Sequence, residues 1–276
     1  MQKHVLVAFM VVLAGCGTTV GVREFQTYSD AFEAVEEASD SVLNEIAAEE
    51  RAKRIRALDG RGISDKLERK DISTFAPSAD PPFVASMRFA VHSVADMNDI
   101  LLAYAQGRAL AVLKKDVEDL RNAGSGFSVI ETASSAAKEM SKSILVLNEA
   151  LGLLGGIGSR EAFRDELAKS SAKINAVLDV LLKHSTTAFR TLTTSERREL
   201  LTNPSNAAAI RQEIATEREM LAEWLHLIEL SQVALNKAVE AASSQPDRNS
   251  RLVEAAVLTG DLRARADRIK RLAAQN

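Results

Sequence analysis

Glu223 and His226 stand three residues apart in a helix-forming tract, a spacing that turns a carboxylate and an imidazole to one face, as di-iron helical bundles require. Such a centre also needs a second Glu-x-x-His and two more inward glutamates. Neither His92 nor His184, the other histidines after the N-terminal segment, has Glu three positions before it. Ser135-x-x-Lys138 and Ser170-x-x-Lys173 repeat the spacing that sets a serine nucleophile one helical turn from a lysine in penicillin-interacting enzymes, but no Lys-Thr-Gly follows either. The glycines of 152–158 lack the order of a phosphate loop, and no HExxH or G-x-S-x-G run occurs. The expectation is a chain with no catalytic residue, no metal and no cofactor, in which Trp224, with Leu225 and Leu227, serves as core or interhelix contact.

The chain's single cysteine, Cys16, has a different context. Met1-Gln2-Lys3-His4 is a short basic start, Val5 to Val12 an unbroken apolar run, and Leu13-Ala14-Gly15 the small residues that precede a signal-peptidase cut. The run is too short to cross a bilayer as a helix, which takes roughly 20 residues. An export signal over 1–15 is the expectation, with cleavage between Gly15 and Cys16. Leu13-Ala14-Gly15-Cys16 resembles the lipobox of bacterial lipoproteins. That resemblance implies a diacylglyceryl thioether on Cys16 and an acylated new N-terminus. Acyl chains stabilise membrane association by about 0.8 kcal/mol per buried CH2, and two or more make it durable. Gly17, where Asp signals inner-membrane retention, implies the outer membrane.

One further segment could meet a membrane. Residues 144–158 are apolar and glycine-rich, and Leu151, Leu153, Leu154 and Ile157 would form an inserting tip in a membrane-perturbing protein. The plainer alternative is a buried helix end with a glycine cap.

Composition narrows the remaining classes. With 35 basic against 38 acidic residues and a net charge of −3, the chain lacks the basic footprint of a nucleic-acid binder. Aromatics at 4% offer no stacking platform. Without a second cysteine no intramolecular disulfide can form, so stability must come from packing. No run after the signal approaches the length of a membrane span.

The elements that would position these residues read as helices. Only five prolines interrupt the chain, and Ala, Leu, Glu, Arg and Lys dominate the tracts between them. Phe25, Tyr28, Phe32, Val35, Val42 and Ile46, with Ser39 in the gap, form one helical stripe. The run Glu49-Glu50-Arg51-Ala52-Lys53-Arg54 reads as a solvated face with Glu49–Lys53 and Glu50–Arg54 pairs. A long connection around 59–81 follows, with one short helix near Ser64 to Asp71. Asp80 is expected to cap a helix carrying Met87, Val91, Val94, Leu101, Ala105, Val112 and Leu120, which Gly107 weakens. A third helix carries Ile130 to Leu154, and a fourth runs from Ser159 through Phe163, Leu167, Ile174, Leu178 and Leu181 to Phe189. Thr193-x-x-Glu196 reads as a capping box. A long helix after Pro204 carries Ile210, Ile214, Leu221, Leu225, Ile228, Leu235 and Val239, and the last bears Leu252, Leu258, Leu262, Ile269 and Leu272.

The reading is an all-α, elongated antiparallel bundle of about six long helices, spanning 24–276 behind a lipidated tether of 16–23. Its expected work is non-catalytic: a lipid-anchored envelope protein, held to the membrane through Cys16, that binds a protein partner and no nucleic acid. The alternative is membrane perturbation by 144–158.

Overall fold

A computed structural model describes residues 22–59, 72–76, 78–106, 139, 142, 160–243 and 248–274. Among these residues the fold is all-α. Helix α1 is Val22–Asp59, α2 a single turn at Ile72–Phe75, α3 Pro82–Ala105 and α4 Arg160–Lys183. Two short helices follow, α5 at Ser185–Leu192 and α6 at Thr194–Thr202. A 3-10 turn, Pro204–Asn206, leads into α7, Ala207–Ser243, and α8 is Arg248–Ala273. With 38 residues, α1 is about 57 Å long at 1.5 Å per residue.

Helices α1, α3, α4 and α7 close a ring of neighbours, and α8 lies against both α1 and α7. Side-chain pairs set the directions. Arg88 of α3 meets Asn44 of α1 at 2.9 Å, while Asn98 meets Tyr28 further along, so those helices are antiparallel. Gln232 of α7 meets Asp179 of α4 at 2.8 Å, and Lys237 and Glu223 of α7 pair with Glu254 and Arg265 of α8, again antiparallel.

The core is built from the three-four stripes. Phe25, Tyr28, Phe32, Val35, Val42 and Ile46 of α1 are all buried, as are Met87, Val91, Val94 and Leu101 of α3 and Leu167, Ile174, Leu178 and Leu181 of α4. From α7 and α8 come Trp224, Leu227, Ile228, Leu235, Leu262 and Ile269. Phe25, Tyr28, Phe32, Phe163 and Tyr104 form a chain of ring contacts at one end, with centroids 5.8 to 6.4 Å apart.

Several local expectations need correction. Asp80 does not cap α3: Pro81 occupies that position without a side-chain bond, and Asp80 accepts from Arg88 Nε at 2.6 Å instead. The helix expected from Ser159 to Phe189 breaks at His184, whose N–H is shared between the carbonyls of Val180 and Leu181 at 3.2 and 3.3 Å. The Thr193 capping box does not form, because Thr193 Oγ1 donates back to the Phe189 carbonyl at 2.8 Å. Such back-bonding is the usual competitor of a threonine cap. The charged run at the end of α1 is a solvated face only in part: the expected Glu50–Arg54 pair forms and Lys53 is exposed, but Glu49 turns to Arg56 and Ser195 in place of Lys53. Glu50 is buried against Arg54 at 3.1 Å, and Arg51 donates to the Ala79 carbonyl at 3.4 Å. The short helix near Ser64–Asp71, Gly107, Val112, Leu120 and the helix from Ile130 to Leu154 lie outside the described residues.

Candidate functional site

The residues singled out by sequence spacing do not come together. Glu223 pairs with Arg265 at 2.8 Å and with Arg268 at 3.4 Å, whereas His226 turns to Glu229 at 3.4 Å. The carboxylate and imidazole thus have separate partners, the arginines of α8 for Glu223 and a residue of α7 itself for His226. Ser170 is fully buried with an unpartnered Oγ, and Lys173 is half-buried on the same helix. Trp224 is fully buried and donates from Nε1 to Ser39 Oγ at 2.8 Å, so it is a core residue. Gly15, Cys16, Ser135, Lys138, Leu151, Leu153, Leu154 and Ile157 lie outside the described residues.

A denser polar arrangement forms where α5 and α6 cross the C-terminal half of α1 and the start of α7. Helix α6 has no buried residue of its own to pack with. Polar contacts hold it: the Ser195 N–H and Oγ both donate to Glu49 Oε2, at 3.2 and 2.7 Å, and Arg56 donates to Ser195 Oγ at 3.0 Å. A carboxylate from α1 therefore satisfies the first turn of α6, where free N–H groups and the positive end of the helix dipole favour an anion.

Behind that contact the carboxylates crowd. Glu217 of α7 is 8% exposed and its Oε2 has no partner, and the Oε2 of Glu196 on α6 is also buried and unpartnered. Burial, reinforced by Glu196, Glu49, Glu213 and Glu45, pushes the Glu217 carboxyl up to about 8. Burial also raises Glu196 and Glu45, each with Glu49 as a like-charged neighbour. Three elements thus aim acid groups into one seam, and Glu217 holds a proton at neutral pH. No group of three or more His, Cys, Asp or Glu among the described residues could hold a metal ion.

The same elements also carry a cluster of exposed arginines, with Glu199 and Glu213 exposed among them. Arg190, Arg197, Arg198, Arg211 and Arg218 are exposed. The guanidinium carbons of Arg197 and Arg218 each lie 5.2 Å from the centroid of the Phe189 ring. Arg197 is further fixed by its Nε, which donates to Thr193 Oγ1 at 2.7 Å. Leu201, four residues beyond Arg197 and therefore on the same side of α6, is 86% exposed.

Sequence reasoning placed Phe189 in a continuous core stripe, and the break at His184 removes it from that line. Glu217, Ser195, Arg197 and Arg218 gave no local signal, because their partners come from elements far apart in the chain.

Compared with protein-family models, with curated proteins and with solved structures, the chain matches none.

Proposed function

We propose that this chain is a lipid-anchored protein of the bacterial cell envelope, a helical bundle that works without catalysis by presenting its surface to a protein partner. The observation that carries the reading is Leu13-Ala14-Gly15-Cys16 at the end of an apolar run, with Cys16 the only thiol of the chain. No helix among the described residues is long and apolar enough to cross a membrane, so in this reading attachment rests on the lipid at Cys16. Support for a binding role comes from the way the polar side chains are used. Glu223, His226, His92 and Arg88 are engaged in ion pairs between or along helices, whereas the arginine face around Phe189 is turned outward. Placement at the periplasmic face of the outer membrane follows from Gly17 after the cysteine.

The test is fractionation of the native protein with intact-mass analysis of its N-terminal peptide. The expected product begins at a lipid-modified Cys16 and sediments with membranes, and Cys16→Ser accumulates as uncleaved precursor or is released. A bare Cys16 thiol on the mature product, or a correctly cleaved Ser variant that stays in the membrane fraction, overturns the reading.

A further inference from the structure

On α5, α6 and the first turns of α7, five arginines are exposed, outnumbering the exposed Glu199, Glu213 and Glu219. Glu196 and Glu217 have oxygens buried in the seam, while Arg190, Arg197, Arg198, Arg211 and Arg218 are exposed on the outside. No carboxylate of the described residues lies within ion-pair distance of these five guanidiniums. Arg197 and Arg218, both held against the Phe189 ring, repel each other, and an arriving anion relieves that repulsion. We infer that this outer face binds an acidic segment of a partner protein, with Arg197 and Arg218 gripping carboxylates on either side of Phe189's edge and Leu201 seating an apolar side chain.

The inference rests on the partner-presenting reading above and names the chemistry of the partner. Two arginines stacked on one ring are restrained before anything binds, which lowers the entropy lost on complex formation. Because Arg197 spends its Nε on Thr193, its two terminal nitrogens remain as a fork of the geometry that a carboxylate accepts bidentately. An arginine pair beside a bare leucine is the composition of an interface centre with its rim, aromatic and Arg groups supplying most of the energy.

Position on the rod argues for a protein over a lipid headgroup. Glu49, which fastens α6, lies about 40 Å along α1 from Val22, the end nearest the proposed tether. The arginine face therefore belongs to the far end of the bundle, where a partner is met.

The experiment uses the full-length protein in its own cells, with photoreactive benzoylphenylalanine at the exposed Thr202, beside Leu201, and a control probe at the exposed Ala176 of α4. The expected result is a crosslink from 202, not from 176, that maps to an Asp- and Glu-rich protein segment. Its yield should fall at least tenfold in R197E/R218E and several-fold in Leu201→Ser, and recover when the mapped acids are changed to Lys. If the doubly reversed chain loses helical circular dichroism, R197Q/R218Q is read in its place with the same expected loss. The inference is overturned by no crosslink above the control, by a crosslink to lipid, nucleic acid or a segment without acidic residues, or by a yield indifferent to the arginines. Fractionation of the same cells separates the two proposals. A protein retained at the membrane without the 202 crosslink sinks the docking face alone, and a released protein that still crosslinks sinks the tether alone.

Discussion

Trp224 and Ser39, 185 positions apart, are joined inside the core by a hydrogen bond of 2.8 Å from the indole Nε1 to the serine Oγ. Ser39 in turn donates to the Val35 carbonyl at 2.6 Å within its own helix. The one polar residue in the apolar stripe of α1 is therefore there to receive the one indole of the chain. A buried N–H left without an acceptor costs about 1–3 kcal/mol. Ser39→Ala is expected to lose that amount in urea unfolding, and Trp224→Phe about 1–3 kcal/mol. The double variant should lose about 1 kcal/mol less than the singles together, because both remove one interaction. Additive losses would show that the bond contributes nothing.

Glu217 makes the stability fall as pH rises. In the unfolded chain its carboxyl ionises near 4.5, in the folded one near 8, so between these values the unfolded state binds fewer protons and is favoured progressively. Glu217→Gln removes the ionisation. Its gain over the wild type should be negligible below pH 4.5, grow across the interval and level off above pH 8 at roughly 4–5 kcal/mol, the limit set by the difference between the two ionisation points. Thermal melts at pH 5 and pH 8.5 read the difference, and an equal offset at both would contradict the seam.

Arg88 ties the connection before α3 to α1. Its guanidinium donates to Asp80 at 2.6 Å and to Asn44 at 2.9 Å and pairs with Asp40. A lysine has no fork and can satisfy only part of this set. Arg88→Lys is expected to cost about 1–2 kcal/mol in denaturant unfolding, with Arg88→Ala little worse.

His92 bonds through Nδ1 to Glu36 and lies near Asp40, and Glu36 raises the imidazole above its usual 6.5 while burial and Arg88 oppose that shift. The sign is the same as that of Glu217, although here the protonated form is the charged one. Stability from this pair is fully present below pH 6.5 and is lost as pH climbs through the raised value. With the ring 40% exposed, the effect should stay below about 1 kcal/mol. His92→Gln should therefore be slightly destabilised at pH 5.5 and equal to the wild type at pH 9. In NMR titration the His92 midpoint should drop in Glu36→Gln.

The helices and their buried faces could be read from periodicity because a stripe such as Phe25, Tyr28, Phe32 and Val35 carries its own evidence of burial. Ser39 shared that period and was the visible hint of a polar contact. The candidate site was not visible, for a physical reason. Helix α6 has no stripe, and what locates it is Ser195 meeting Glu49 across 146 positions. The same distance hid the burial of Glu50 and the inward turn of Glu217, since a glutamate on a polar-rich helix looks solvated until another element covers it. Breaks such as His184 escaped notice because no proline or glycine marks them.

Helix α1 meets both α7 and α8, and Glu37 on it pairs with Lys270, 233 positions later. Synthesis delivers a chain from its N-terminal end at a pace of residues per second. The apolar side of α1 is thus born long before the helices that cover it. Until α8 arrives, the part of α1 that it covers stays exposed, and exposed apolar surface of this kind promotes aggregation. Cutting the chain back before α8 should then yield an insoluble product rather than a shorter rod.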